Sequence, residues 1–184
     1  MGDKIIIAIT GASGMIYVRE LFALLADIDV EVHAIISEAG EQVLDLELGL
    51  EPADLGEVTW WGIRQFTAPM ASGSAPFRAM AVLPCTMGTL AAIAGGLSAN
   101  LIHRAADVML KEQRRLVLAV RETPLNRTHL QNMLRVHDAG ATICPAMPSM
   151  YQKPQSIDEM ARNYAARLVE SLGLAVEYPR WQGW

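Results

Sequence analysis

The sequence is poor in the residue types that mark several large classes of protein. It has only 2 cysteines in 184 residues, too few for a disulfide framework. Acidic residues outnumber basic ones by 20 to 15, and a net charge of −5 argues against a general nucleic-acid binder. No apolar run reaches the length of a membrane span, and the first residues lack the layout of a signal peptide. We therefore expect a cytoplasmic protein that binds neither nucleic acid nor membrane.

The sequence also lacks the motifs of common metal and catalytic sites. The four histidines are scattered, with neither ligand spacing nor a carboxylate cluster beside them. There is no aspartate-rich run that would hold magnesium on a diphosphate, no Gly-x-Ser-x-Gly elbow and no Walker lysine loop. We expect a site that works without a bound metal.

Apolar runs alternate with segments of helical spacing along the whole chain. Runs that do not alternate apolar with polar residues are typical of strands buried on both faces of a parallel sheet. Five such runs predict strands: Lys4–Thr10, Val30–Ile36, Ala79–Leu83, Leu116–Val120 and Ala141–Cys144. The pattern predicts a single α/β domain over residues 1–184, with a doubly wound, Rossmann-like parallel sheet and helices on both faces.

Two parts of the chain depart from this alternation. The stretch 50–66 has no clear pattern and is predicted to be irregular. The C-terminal tail, about residues 175–184, is aromatic, and we expect it to dock on its own domain or on a neighbouring subunit. Just before it, Ser156 and Glu159 predict a capping box that opens the last helix.

Two of the predicted strands end in turns that suit a phosphate group. After the first strand, the turn Gly11–Gly14 leads into a helix, and the N–H groups at a helix N-terminus bind anions. After the third strand, Pro84–Thr89 repeats the arrangement. The carboxyl ends of parallel strands meet at one edge of the sheet, so several polar residues should gather there. These are Ser13, Ser37, Thr86, Thr89, Arg121 and Glu122.

Each of these features also has a structural alternative. The first turn could serve packing alone, and a serine at the position of Ser37 is a favoured helix cap. Arg121 and Glu122 could form a surface ion pair, which contributes little to stability. Arg104 and Lys111 are seven residues apart on one predicted helix and could lie on a solvated face.

Six blocks spread over nearly the whole chain resemble the flavin prenyltransferases, the UbiX family, formerly described as aromatic-acid decarboxylases. The longest, RAADVMLKE, is the most specific, and it lies close to the RETP block. The blocks are Thr10–Gly14, Ala71–Ser74, Pro84–Thr89, Arg104–Glu112, Arg121–Pro124 and Pro148–Ser156.

The resemblance implies roles for individual residues. The residues that would bind FMN are Gly11, Ala12, Ser13, Ser37, Thr86, Met87, Gly88, Thr89 and Arg121. The residues that would bind the phosphate of dimethylallyl phosphate are Ser72, Arg104, Lys111, Tyr151 and Arg167, with Trp181 walling the prenyl site. The catalytic set would be Glu47, Glu122, Lys111 and Ser13.

The implied reaction joins a dimethylallyl group to N5 and C6 of reduced FMN. The prenylated FMN would then serve a partner decarboxylase as its cofactor. Arginine and lysine side chains can neutralise the leaving phosphate without a metal, and a carboxylate such as Glu122 can take the proton lost in ring closure. The resemblance also implies a homo-oligomer, a dodecamer with its site where subunits meet.

Two other functions stay open at this point: direct FMN-dependent decarboxylation of a carboxylic acid, and non-catalytic binding or delivery of a flavin. The related cysteine decarboxylases carry a PASANT motif and a catalytic histidine. This chain has Gly88 in place of the motif's asparagine and no histidine between Phe66 and Ile102, which argues against that activity. The segment between Glu47 and Trp61 is also shorter than in several relatives, and Val18 replaces a common glycine.

Overall fold

The parallel sheet places the carboxyl ends of its buried strands at one edge of the molecule. The structure is a computed structural model that describes residues 3–183. Those residues form six strands in the order β3-β2-β1-β4-β5-β6, and every neighbouring pair is parallel. The strands are β1 (Asp3–Ile9), β2 (Val30–Ile36), β3 (Thr59–Trp61), β4 (Phe77–Cys85), β5 (Arg115–Val120) and β6 (Thr142–Ile143). All five predicted strands and the doubly wound parallel fold are confirmed.

Helices cover both faces of this sheet. The helices are α1 (Met15–Leu25), α2 (Glu38–Leu48), α3 (Met87–Ala94), α4 (Leu101–Lys111), α5 (Arg127–Asp138) and α6 (Ile157–Ser171). One apolar cluster joins α1, α2 and α6 to the sheet, and a second joins α3, α4 and α5 to its other face. Within residues 3–183, none of the helices has the length and apolar character needed to span a bilayer.

The isoleucine run of β1 supplies both clusters. Ile5, Ile7 and Ile9 point into the first cluster, and Ile6 and Ala8 into the second. All five are fully buried. Burying an isoleucine side chain contributes roughly 1.5–3 kcal/mol, so this strand anchors both layers at once. The turn that follows β1 is therefore held firmly at the carboxyl edge of the sheet.

The prediction that residues 50–66 are irregular was wrong at β3. This edge strand has only three residues, too few to give a periodic signal, and it pairs with β2. A buried side-chain contact secures it: Nε1 of Trp61 donates to Nδ1 of His33 at 2.9 Å, and Nε2 of His33 lies 2.7 Å from Oε1 of Glu31. Because Nδ1 accepts, His33 carries its proton on Nε2 and donates it to Glu31.

Two further boundaries differ from the sequence prediction. β4 begins at Phe77, two residues before the predicted start at Ala79. The charged Arg78 interrupts the apolar run in the sequence, and in the structure it forms an ion pair with Asp3. The capping box at the start of α6 is only half formed. Ser156 Oγ accepts from the Glu159 N–H at 3.0 Å, but the Glu159 carboxylate accepts from the Gln155 N–H instead of the Ser156 N–H.

The C-terminal segment returns to its own chain. Val176 and Tyr178 pack against the cluster that contains α1 and α6. Nε2 of Gln152 donates to the carbonyl of Pro179 at 2.6 Å. Trp184, the last residue of the predicted tail, lies outside the described residues.

Trp61→Phe tests the contact that secures β3. The variant leaves the buried His33 Nδ1 without its donor, so we expect a loss of about 1–3 kcal/mol in the free energy of unfolding. Trp60→Phe is the matched control, because Nε1 of Trp60 is buried and has no hydrogen-bond acceptor within residues 3–183. Urea unfolding of both variants measures the difference. Equal destabilisation by the two substitutions would contradict the role given to this hydrogen bond.

Candidate functional site

The turns that end β1 and β4 are hydrogen-bonded to each other. Thr10 Oγ1 donates to the carbonyl of Pro84 at 2.7 Å and accepts from the Thr86 N–H at 2.9 Å. Gly11 lies against the start of α2, where an added Cβ would come within 2.5 Å of the Ala39 Cβ. The predicted gathering of the strand-end residues at one edge of the sheet is thus confirmed.

The N-terminus of α3 offers an open pair of N–H groups. Thr86 caps the helix: its Oγ1 accepts from the Thr89 N–H at 3.2 Å and donates to the Thr89 hydroxyl at 3.0 Å. The N–H groups of Met87 and Gly88, the first two of the helix, have no acceptor within residues 3–183. A Cβ added at Gly88 would meet nothing within 4 Å. This donor set fits a phosphate group.

The N-terminus of α1 is already occupied by a carboxylate of the chain itself. Oε2 of Glu47 accepts from the N–H groups of Gly14 and Met15 at 2.9 and 2.8 Å. Burial raises the pKa of Glu47, but hydrogen bonds from Ser13, Met15 and Gly14 outweigh it and, with the charge of Arg121, hold that pKa below its ordinary value. The turn Gly11–Gly14 does lead into an anion site, as predicted, but the anion there is Glu47.

Arg121 is the positive charge at this edge. It lowers the pKa of Glu47 and partly opposes the burial that raises the pKa of Tyr17. The Arg121 side chain makes no hydrogen bond or ion pair within residues 3–183, so the expected alternative, a pair with Glu122, is not formed. Oε1 of Glu122 accepts instead from the Thr123 N–H at 2.9 Å. Sequence reasoning missed Tyr17, which looked like an ordinary member of the α1 helical pattern.

A cleft of about 620 Å³ opens beside Ser37. Ser37 Oγ accepts from the Gly40 N–H at 3.0 Å, so the capping role that was the alternative for this residue is confirmed. Its hydroxyl proton is still available for a ligand. Arg64, Phe66 and Asn100 also line the cleft, and no motif in the sequence pointed to them.

Three residues assigned to the prenyl substrate, Ser72, Arg104 and Lys111, lie on helix α4 and the loop that contacts it. Arg104 is half-buried and donates from Nε to the Ala71 carbonyl at 3.0 Å, and its Nη1 lies 2.7 Å from Oδ2 of Asp107. Lys111 pairs with Glu112. The alternative that Arg104 lies on a solvated helix face is therefore wrong, whereas Lys111 is exposed.

The topology places Ser72 and Lys111 at the opposite edge of the sheet. Lys111 ends α4 just before β5 begins at Arg115, and Ser72 lies shortly before β4 begins. A Cβ added at Gly73 would come within 2.6 Å of Lys111 Nζ, so the loop carrying Ser72 and the end of α4 are in contact. Within one chain, Ser72 and Lys111 thus lie at the amino ends of the strands, and the residues assigned to FMN lie at the carboxyl ends.

The remaining predicted substrate residues form a third group. Tyr151 and Arg167 line a cavity of about 180 Å³, and the ring of Tyr151 meets that of Trp181 edge-on with centroids 5.5 Å apart. Arg167 Nη1 donates to Oε2 of Glu170. Sequence reasoning missed Glu170, although its spacing of three residues from Arg167 on a helix was a usable signal.

No cluster of three or more histidine, cysteine, aspartate or glutamate side chains suited to a metal ion occurs within residues 3–183.

Similarity to known proteins identifies the class and the family of this chain. The family model described as Flavoprotein matches residues 1–168, which defines the class. The chain is 46% identical over 182 residues to the flavin prenyltransferase UbiX of Methanothermobacter thermautotrophicus, an alignment that covers 97% of this chain and 95% of the relative. The chain belongs to the flavin prenyltransferase, or UbiX, family of flavoproteins, and the predicted family is confirmed.

Two solved structures extend the likeness to the whole fold. The structure of AnUbiX (PadA1) in complex with FMN and dimethylallyl pyrophosphate has a TM-score of 0.96 and 39% identity, and it covers all of both chains. A dodecameric FMN-dependent UbiX-like decarboxylase from Escherichia coli O157:H7 has a TM-score of 0.93 and 36% identity, covering 98% of this chain and all of the other.

Glu47→Gln tests the carboxylate at the N-terminus of α1. We expect the variant to lose about 0.5–1 kcal/mol of unfolding free energy at pH 7, because a negative charge at a helix N-terminus is stabilising. The folded-state pKa of Glu47 is lowered. The difference from wild type should therefore be complete above the ordinary glutamate pKa of about 4.3 and fade as the pH falls below it.

Urea unfolding at pH 7 and pH 3 measures this difference. Glu57→Gln is the control, since Glu57 is exposed and makes no hydrogen bond or ion pair within residues 3–183. A Glu47→Gln penalty that persisted unchanged at pH 3 would show that its charge is not the stabilising factor.

Proposed function

We propose that this protein transfers a dimethylallyl group from dimethylallyl phosphate to N5 and C6 of reduced FMN, and that the prenylated FMN serves a partner decarboxylase. The observation that carries the proposal is the carboxyl edge of the sheet, with its open α3 N-terminus and the unpaired Arg121. Membership of the UbiX family supports it, and so does the AnUbiX complex with FMN and dimethylallyl pyrophosphate.

The carboxyl edge fits FMN in chemical character. The N–H groups of Met87 and Gly88, with the hydroxyls that cap α3, suit the FMN phosphate. Arg121 suits a second anionic or carbonyl group of the flavin. When bound, reduced FMN supplies the nucleophilic nitrogen and the ring carbon that the prenyl group joins.

The carboxylates at this edge have separate roles in the proposal. Glu47 stays ionised near neutral pH and is fixed by hydrogen bonds that include the Ser13 hydroxyl, so it holds a negative charge in a defined place. Such a charge stabilises the cationic character of an allylic carbon as its phosphate leaves. Glu122 is exposed at the end of β5, where it can accept the proton that ring closure releases.

The cationic residues complete the site from another copy of the chain. Ser72 and Lys111 lie at the amino ends of the strands, so they do not reach the carboxyl edge of their own chain. In an oligomer with heterologous interfaces, one surface of each subunit meets a different surface of its neighbour, and this arrangement brings the two edges together. We therefore propose a homo-oligomer, a dodecamer like the Escherichia coli relative, that works in the cytoplasm without a metal.

The function is tested by anaerobic incubation with FMN, a reductant and dimethylallyl phosphate, followed by mass spectrometry of the flavin. We expect a mass gain of one C5 unit, and we expect FMN binding to survive chelator treatment. An unchanged flavin with release of carbon dioxide from a carboxylic acid would indicate a decarboxylase. An unchanged flavin without any turnover would indicate a binding or delivery subunit.

Lys111→Met tests the contact with the leaving phosphate. Loss of a charge-assisted contact costs about 1.5–3 kcal/mol, so we expect prenyl transfer to fall roughly tenfold to a hundredfold. FMN affinity should hardly change, because Lys111 lies at the other edge of its own chain. Lys4→Met is the matched control: Lys4 also pairs with a glutamate, Glu31, but lies outside the proposed site.

Co-expression of Lys111→Met with Arg121→Met chains tests whether the site is shared. If the two chains mix at random in a symmetric oligomer, about one quarter of the shared sites regain both residues, and activity returns to that extent. A site built within one chain would give no recovery. A wild-type rate of prenyl transfer in the Lys111→Met single variant would contradict the role given to Lys111.

A further inference from the structure

One carboxylate, Glu170, joins the C-terminal segment to the helix that carries Arg167. Its Oε2 accepts from Arg167 Nη1 and, at 2.8 Å, from the Tyr178 hydroxyl. Its Oε1 accepts from Arg180 Nη1. The donors come from two separate segments, α6 and the C-terminal segment, and both oxygens of the carboxylate are used.

The same C-terminal segment closes the cavity that Arg167 lines. Tyr178 forms one wall of that cavity beside Tyr151 and Arg167. The 2.6 Å hydrogen bond from Gln152 to the Pro179 carbonyl and the edge-on contact of Tyr151 with Trp181 tie the segment to the opposite wall. Arg167 and the C-terminal segment therefore share Glu170 as a common partner, and Arg167 also has a direct hydrogen bond to Tyr178.

The size of these interactions indicates what Glu170 contributes. Its side chain is 25% exposed, and the side chains of Arg167 and Arg180 are 63% and 56% exposed. Ion pairs this exposed add only about 0–1 kcal/mol each to stability. An arginine presents five N–H donors in a rigid fork, so a carboxylate on one part of the fork fixes the direction of the remaining donors. Orientation, more than stability, is what this contact supplies.

The charge at Glu170 is compatible with an anionic ligand nearby. The hydrogen bond from Tyr178, followed by those from Arg180 and Arg167, lowers the pKa of Glu170, so it is ionised at neutral pH. Two guanidinium groups face this one carboxylate, and the set keeps a net positive charge. A phosphate in the cavity would meet an excess of positive charge.

We propose that Glu170 is a positioning residue that holds Arg167 in the orientation that binds the substrate phosphate and couples it to closure of residues 178–181 over the cavity. This inference rests on the proposed function for its ligand, dimethylallyl phosphate. It adds Glu170, Tyr178 and Arg180 to the site as residues that act through Arg167 and the cavity wall.

The test compares Glu170→Gln with Glu170→Asp, which keeps the charge, and with Glu177→Gln as the matched control. Glu177 is an exposed carboxylate of the same segment and makes no hydrogen bond or ion pair within residues 3–183. The first readout is the rate at which trypsin cleaves after Arg180 in the intact protein, followed by mass spectrometry. We expect faster cleavage in Glu170→Gln alone. Dimethylallyl phosphate should slow cleavage in wild type and in Glu177→Gln, but not in Glu170→Gln.

The second readout is the kinetics of flavin prenylation. We expect Glu170→Gln to raise the KM for dimethylallyl phosphate roughly tenfold while kcat and FMN affinity change by less than about threefold, because an interaction with the bound substrate is lost. Glu170→Asp should recover most of the difference.

The outcomes separate this inference from the proposed function. Faster cleavage of Glu170→Gln with an unchanged KM would show that Glu170 only anchors the segment, and the inference would be overturned. Failure of dimethylallyl phosphate to protect the wild-type bond would overturn the coupling. A third outcome is that wild type transfers no prenyl group, yet dimethylallyl phosphate protects wild type and fails to protect Glu170→Gln. That outcome would uphold the inference and refute the proposed function.

Discussion

Thr10 joins the two turns that end β1 and β4 at the carboxyl edge of the sheet. Its side chain is 3% exposed, and its hydroxyl both donates to the Pro84 carbonyl and accepts from the Thr86 N–H. Removing this hydroxyl would leave the poorly solvated Thr86 N–H without a partner, at a cost of about 1–3 kcal/mol, whereas the Pro84 carbonyl would keep the Thr10 N–H at 3.3 Å. The hydroxyl also sets where α3 begins relative to the turn after β1. Because the open N–H groups lie at the first residues of α3, their position relative to the turn after β1 depends on this one buried side chain.

Two of the helices that begin at that edge, α1 and α3, are used differently. Both offer unpaired N–H groups and the positive end of a helix dipole. The carboxylate of Glu47 fills the site at α1, while the site at α3 stays open. Two open sites so close together would compete for one phosphate and leave its position undefined. With the first filled, α3 is the open one of these two helix N-termini, and Glu47 is a fixed negative charge that the charge of Arg121 helps to keep ionised.

The sequence predicted those parts of the fold that a local pattern controls. Apolar runs such as β1 must be buried on both faces, and small residues after a strand mark a turn, so the sheet and its two turns could be predicted. β3 could not, because three edge residues carry no period and its anchor is the side-chain pair of Trp61 and His33. The contacts of Glu170 with the C-terminal segment could not be predicted either, since no local sequence pattern indicates which distant side chains meet.

The placement of Lys111 shows a different limit. Helical spacing put it on one face with Arg104, and the family resemblance gave both a role, but neither says at which edge of the sheet they lie. Topology decides this, because a helix between parallel strands runs antiparallel to them and ends where the next strand starts. Lys111 therefore had to lie at the amino edge once α4 and β5 were recognised.

The loop beside Lys111 is already ordered within a single chain. Arg114 donates from Nη1 and Nη2 to the carbonyls of Ala75 and Gly73 at 2.7 and 2.6 Å, and Arg104 holds the Ala71 carbonyl. Carbonyl acceptors orient the Arg114 guanidinium without cancelling its charge, whereas the carboxylates of Asp107 and Glu112 pair with Arg104 and Lys111. The loop thus keeps a positive charge in a chain whose net charge is −5. A surface of that kind, ordered before subunits meet, loses little conformational freedom when it closes on an anion bound by a neighbouring copy, and this favours a shared site over one that each chain completes alone.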